Sequence, residues 1–139
     1  MPYMPKFIKQ SIELVIHISG ANEVVSPNQS FSIVIENDKN YFYNIGFNAF
    51  AASFGLQAIT FPAGLMSISD YAFNMCRNLR SITFKNITPP AINGEQVFKD
   101  VPLDCQIFIP PSADKKLWLS VFLNSGFRII EENIIFENN

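Results

Sequence analysis

Apolar and polar positions repeat along the middle of the chain. Residues 45–61 and 68–84 align without a gap at a shift of 23 residues, and seven of the seventeen aligned pairs are identical. The identical positions are Ile45/Ile68, Ala49/Ala72, Phe50/Phe73, Leu56/Leu79, Ile59/Ile82, Thr60/Thr83 and Phe61/Phe84. A self-similarity of roughly 20–29 residues predicts a solenoid of stacked supersecondary units. In each unit Ile59-Thr-Phe61 and Ile82-Thr-Phe84 read as a short strand. Side chains alternate along a strand, so Ile59, Phe61, Ile82 and Phe84 face inward. Ala58, Thr60, Ser81 and Thr83 face outward. Ala49/Ala72 and Phe50/Phe73 are placed on a return segment that closes the core.

Forward, the pattern continues at a shift of 25. Val97-Phe98 stands where Ala72-Phe73 stood, and Ile107-Phe-Ile109 where Ile82-Thr-Phe84 stood. Gln106 and Phe108 then face outward. Asp104 replaces Leu79, so this third unit is expected to be degenerate. Between units, Thr88-Pro-Pro-Ala91 and Asn93-Gly94 read as a loop. Backward, a shift of 23 places Pro27, Glu36 and Asp38 at core positions. The repeat is therefore expected to begin at residue 45, with a β-rich cap before it, because the open end of a solenoid needs covering.

The flanks carry other patterns. Ile12, Leu14, Ile16 and Ile18 alternate as one face of a strand, after a loose arm holding Pro2 and Pro5. Phe31–Ile35 reads as a strand, and Glu36–Asn40 as a polar turn. Residues 112–123 read as a helix with Ser112 as its cap, Asp114 in its first turn, and Leu117, Trp118, Val121 and Phe122 on one apolar face. Phe127–Ile130 is expected to be a last strand, with Ile134–Phe136 as a short extension. The reading is a single α/β repeat domain: an N-terminal β cap over 1–44, repeats over 45–110, and a helix-plus-strand cap over 111–139.

Composition removes several alternatives. A hydrophobic fraction of 48%, with 14 Phe, is ample for a core. The net charge is −2 and the 10 basic residues are scattered, so no basic footprint for nucleic acid exists. No apolar run approaches the ~20 residues of a membrane span. The apolar stretch near the N-terminus is broken by Glu13 and His17 and does not read as a signal peptide. Either the protein stays inside the cell or a leader was trimmed. Cys76 and Cys105 form no metal-type spacing; they can pair only if their Cα atoms come within roughly 7 Å, and otherwise two buried thiols are expected. Asn28-Gln-Ser30 and Asn86-Ile-Thr88 match the glycosylation triplet.

The stretch Ile68-Ser-Asp-Tyr-Ala-Phe-Asn-Met-Cys-Arg-Asn-Leu-Arg-Ser-Ile-Thr-Phe84 resembles the BspA-like leucine-rich repeats, whose unit runs I-x-x-x-A-F-x-x-C-x-x-L-x-x-I-x-apolar. Ile68, Ala72, Phe73, Cys76, Leu79, Ile82 and Phe84 fall on that pattern. The first copy follows it with Ser53 in place of the cysteine. The segment from Thr88 through Phe98 and Ile107–Pro110 into a helix looks like the closing segment that follows such repeats. The resemblance covers about 45–130. It implies a short leucine-rich-repeat solenoid, a secreted or surface location, and protein binding of the adhesion or host-contact kind. It implies no catalytic residue and no cofactor.

The candidate binding residues are the outward Thr60, Thr83 and Phe108, with Lys85 beside them. An outward aromatic such as Phe108 suits an interface anchor. The competing reading is an ordinary solvated strand face, or cover by the C-terminal helix. Catalysis has little support. His17 is the only histidine, and Glu131 and Glu132 are adjacent and would point opposite ways in a strand. A carbohydrate-active role through Trp118 and the tyrosines is a remote alternative. A third reading is structural: a short solenoid with exposed parallel edges that serves a larger or homodimeric assembly.

Overall fold

The computed structural model describes residues 30–138. The elements are β1 (Phe31–Val34), β2 (Tyr43–Ile45), β3 (Leu56–Phe61), β4 (Leu65–Ser69), β5 (Ser81–Phe84), β6 (Ala91–Asn93), β7 (Gln106–Ile109), α1 (Lys115–Asn124) and β8 (Ile134–Phe136). A 3-10 turn at Glu131–Asn133 precedes β8. The strands divide between a five-stranded sheet ordered β1-β3-β5-β7-β8 and a three-stranded sheet ordered β2-β4-β6. Among the described residues all pairings are parallel. The chain alternates between the sheets, and a run of turns closes each circuit at residues 47–52, 70–75 and 97–100.

Register explains why like residues recur. Ile33 lies opposite Ile59, Ile59 opposite Ile82, Ile82 opposite Ile107, and Ile107 opposite Ile134. The last four are buried to 1% exposure or less, so each strand adds one isoleucine to a continuous inner layer. Rings stack in the same way. Phe50, Phe73, Phe98 and Phe127 form a column with centroid spacings of 5.2, 5.7 and 4.6 Å and near-parallel planes. Phe61 and Phe84 stack at 5.5 Å, and Trp118 continues from Phe84 at 4.9 Å. Such pairs contribute roughly 0.5–1.5 kcal/mol each beyond the area they bury.

The turn runs are bonded to one another through the backbone. The N–H of Phe50 donates to Ala72 O (2.7 Å) and that of Ala52 to Asn74 O (2.8 Å). One circuit later Phe73 donates to Val97 O (2.9 Å) and Met75 to Lys99 O (2.8 Å). The turning conformation recurs as well. Ala52, Met75 and Asp100 all have positive φ, at 58°, 65° and 67°.

Five expectations are corrected. First, the ladder does not stop at residue 45. Strand β1 joins the same sheet at a shift of 26 rather than 23, with Ile33 on Ile59. The loop after β1 holds the extra residues, so a fixed shift set Glu36 and Asp38 against core positions and missed Ile33 and Ile35. The Ile12–Ile18 strand and the arm before it lie outside the described residues. Second, each circuit has a second strand. Ala91–Asn93 is β6, paired on β4 through Ile68 and Ile92, where Pro89-Pro90 and Asn93-Gly94 suggest only a loop.

Third, the third unit has not lost its core residue at Leu79. Asp104 is exposed, but Cys105 next to it is fully buried. Cys105 also donates its N–H to the residue three back, Pro102, as Leu56 and Leu79 do to Ser53 and Cys76. Fourth, the helix is capped by Asp114, which accepts from the N–H groups of Lys116 (3.1 Å) and Leu117 (3.3 Å), rather than by Ser112. Trp118 and Phe122 face the core, while Leu117 is largely exposed. Fifth, Phe127–Ile130 is not a strand. Its alternation is real, with Phe127 and Ile129 buried and Arg128 and Ile130 exposed. Phe127 continues the ring column of the turn runs instead of pairing in a sheet. The last strand is β8, parallel to β7.

Candidate functional site

The outward face of the five-stranded sheet gathers the predicted residues. Thr60 lies opposite Thr83, and Thr83 opposite Phe108. The same row extends in both directions, to Val34 on β1 and Ile135 on β8. It therefore crosses all five strands as Val34-Thr60-Thr83-Phe108-Ile135. Val34 is 69% exposed, and the other four are half-buried among their neighbours. A second outward row, Ser32-Ala58-Ser81-Gln106, runs beside it. Three of its four side chains are small, so Phe108 stands at the end of a shallow, hydroxyl-rich tract.

Helix α1 does not cover this face with its apolar side. Trp118 packs on Phe84 and donates its indole N–H to Ile87 O (3.2 Å), and Phe122 packs on Phe98. Fully buried, Trp118 offers no surface for a sugar.

Lys85 lies beside the row but is engaged. Its Nζ sits 2.8 Å from both carboxylate oxygens of Glu137. Its own backbone N–H donates to Phe61 O (3.0 Å). The site is thus apolar and hydroxylic at its centre, with a closed ion pair at its margin. At the other side of the sheet's last strand, Lys115 Nζ lies 4.9 Å from the centre of the Phe136 ring.

The remaining sequence candidates are scattered. Glu131 and Glu132 lie exposed in the 3-10 turn, not in a strand. His17 and Asn28 lie outside the described residues. Asn86 is half-buried and its amide donates to Leu65 O (2.8 Å). Cys76 and Cys105 are free, buried thiols. Cys76 Sγ donates to Phe50 O (3.0 Å), and burial pushes both thiols up to about 12. Among the described residues no group of three or more His, Cys, Asp and Glu is placed to hold a metal ion, and no helix is long and apolar enough to cross a membrane.

Two members of the row, Val34 and Ile135, were missed from the sequence. The signal for Ile135 was present in Ile134-Ile-Phe136, a strand-like triplet. Val34 needed the shift of 26.

The family described as BspA type leucine-rich repeat region, in six copies, matches residues 28–138. The chain belongs to that family. Its match begins before residue 45, in agreement with β1 joining the ladder. No curated protein and no solved structure matches the chain. Membership suggests a protein-interaction or surface module.

Proposed function

We propose that the protein is a short leucine-rich-repeat solenoid that acts as a non-catalytic binding module. It contacts a partner protein through the outward row of its five-stranded sheet, in the manner of a surface adhesion or host-contact domain. The observation that supports this most is the in-register row Val34-Thr60-Thr83-Phe108-Ile135. Four strand spacings of about 4.8 Å give the row a width of roughly 19 Å. An aromatic and two aliphatic side chains flanking two hydroxyls match the composition of an interface centre, where aromatic residues are enriched and charges depleted. Solenoids hold such surfaces rigid, which limits the ordering cost of binding. On this reading no residue is catalytic and no cofactor is needed.

The test is capture of extracellular matrix proteins by the wild-type protein and by Phe108→Ser. Loss of capture in the variant, with an unchanged melting curve, supports the reading. Equal capture by both refutes it.

A second reading is a unit of a larger or homo-oligomeric assembly. The outer edge of β8 supports it, because among the described residues no strand pairs there. Light scattering that shows a monomer at high concentration counts against it.

A further inference from the structure

The turn runs hand hydrogen bonds forward from one circuit to the next. Phe50 and Ala52 donate to Ala72 and Asn74, and Phe73 and Met75 donate to Val97 and Lys99. Phe98 and Asp100 stand at the same two positions in the last run, and Asp100 repeats the positive φ of Ala52 and Met75. Yet among the described residues neither the Phe98 N–H nor the Asp100 N–H has an acceptor. Each previous pair is spaced two residues apart and meets two carbonyls also spaced two apart. The last pair keeps that spacing but bonds to no carbonyl.

The chain does return to this end of the fold. Phe127 stacks on Phe98 at 4.6 Å, and Gly126 approaches Glu95 O so closely that an added Cβ would lie 3.2 Å from it. Residues 125–128 nevertheless make no backbone bond to residues 97–101. A cleft of about 270 Å³ remains between the two segments, lined by Lys99, Asp100, Val101, Leu103, Ser125 and Arg128. Leu103 is 59% exposed at its edge. Paired amide donors that lack acceptors are costly unless solvent or a ligand reaches them.

We propose that this cleft binds an extended peptide segment of a partner protein. Two of the segment's carbonyls, two residues apart, accept from the Phe98 and Asp100 amides and add one more rung to the ladder. This is backbone capture of the strand-addition kind, here applied to a turn run instead of a sheet edge. Charge argues for a peptide over a free anion. Lys99 and Arg128 are offset by Glu95 and Asp100 in the same lining, so the directional carbonyl is the matching group. The cleft is separate from the five-stranded face, so the proposal does not rest on the function proposed above.

The probe is a synthetic peptide with the sequence of residues 94–101, which carries the Val97 and Lys99 carbonyls that Phe73 and Met75 use within the protein. Amide exchange and ¹⁵N–¹H spectra are followed without and with the peptide. Without it, Phe98 and Asp100 should exchange much faster than Phe73 and Met75. With it, both amides should shift and slow, the all-D peptide should do neither, and Leu103→Ser should weaken binding roughly five- to tenfold. Phe98 and Asp100 amides as protected as Phe73 and Met75 in the free protein would overturn the proposal. So would a saturating peptide that leaves them unmoved, including one that shifts Thr60, Thr83 and Phe108 instead.

Discussion

Lys85 and Glu137 are 52 residues apart in the chain, yet Lys85 Nζ lies 2.8 Å from both oxygens of the Glu137 carboxylate. The pair reaches from the end of β5 to the residue after β8, passing over β7. The same residue after β8 donates its backbone N–H to Ile109 O (2.8 Å). Register brings the two together, since each strand adds one position to the same row. Both side chains are partly exposed, at 45% and 32%, so the pair is screened by water and salt.

Glu137→Gln should therefore cost little, about 0.2–1 kcal/mol, as exposed pairs do. A double-mutant cycle with Lys85→Met, read by urea denaturation at low and high salt, measures it. A coupling that survives high salt unchanged would contradict the screened geometry. The same variant frees a cation beside Phe108. Partner capture that rises with Glu137→Gln and falls with Lys85→Met would place Lys85 in the interface.

Phe73 is fully buried between two parallel rings, Phe50 at 5.2 Å and Phe98 at 5.7 Å, with the edge of Phe61 at 5.9 Å. Phe73→Ala removes the centre of the column. The expected loss is about 3–5 kcal/mol, a large share of the roughly 5–15 kcal/mol that holds a domain folded. Denaturant titration should show a variant largely unfolded or close to it. A cooperative transition at an unchanged midpoint would refute the packing.

How much of this could be read beforehand depended on whether the period was kept. Ile59, Phe61, Ile82 and Phe84 share residue types at a constant shift, so their inward orientation followed from alternation, and so did the outward Thr60 and Thr83. Phe108 followed at a shift of 25 because Ile107 and Ile109 flank it. Ile33 did not, because its shift is 26, set by the length of a surface loop that the core does not constrain. Strands β2, β4 and β6 were hidden for a different reason. They are three to five residues long and bounded by Gly46, Gly64, Pro90 or Gly94, where turn residues dominate the local signal. Cys105 was masked by the more obvious Asp104, since a one-residue slip changes which side chain is buried. Neither the Lys85–Glu137 pair nor the open amides of Phe98 and Asp100 have any sequence signature, because both depend on what lies opposite in space.

Ala52 has a φ of 58° and an exposed side chain. A Cβ in the left-handed region is strained by roughly 1–2 kcal/mol, and glycine is not. Glycine also has more freedom to lose on folding, which offsets part of the gain. Ala52→Gly should therefore leave stability unchanged or raise it by up to about 1 kcal/mol. Ala51→Gly, one residue earlier and without positive φ, should lower it. Thermal melts of the two variants decide the matter, and a drop at Ala52 equal to that at Ala51 would contradict the turn geometry.

The buried thiols make stability depend on alkaline pH. Cys76 and Cys105 rise from 9.0 to about 12, chiefly through burial. Burial also pushes the Tyr43 hydroxyl, which donates to Pro62 O (2.7 Å), well above its ordinary value. In the unfolded chain the thiols lose their protons near 9, while in the folded protein they keep them until about 12. Above 9 the unfolded state thus binds fewer protons than the native state, so unfolding becomes easier as pH rises. Their contribution is complete below pH 9 and is lost progressively between 9 and 12. Denaturation midpoints should be level from pH 7 to 8.5 and fall above pH 9. In Cys76→Ala the midpoint should start lower, because a cavity is left, but decline less steeply. Thiol reagents should label neither cysteine in the folded protein at neutral pH and both once it is unfolded. Rapid native labelling, or an alkaline slope identical in the variant, would show that these thiols are not held as the packing requires.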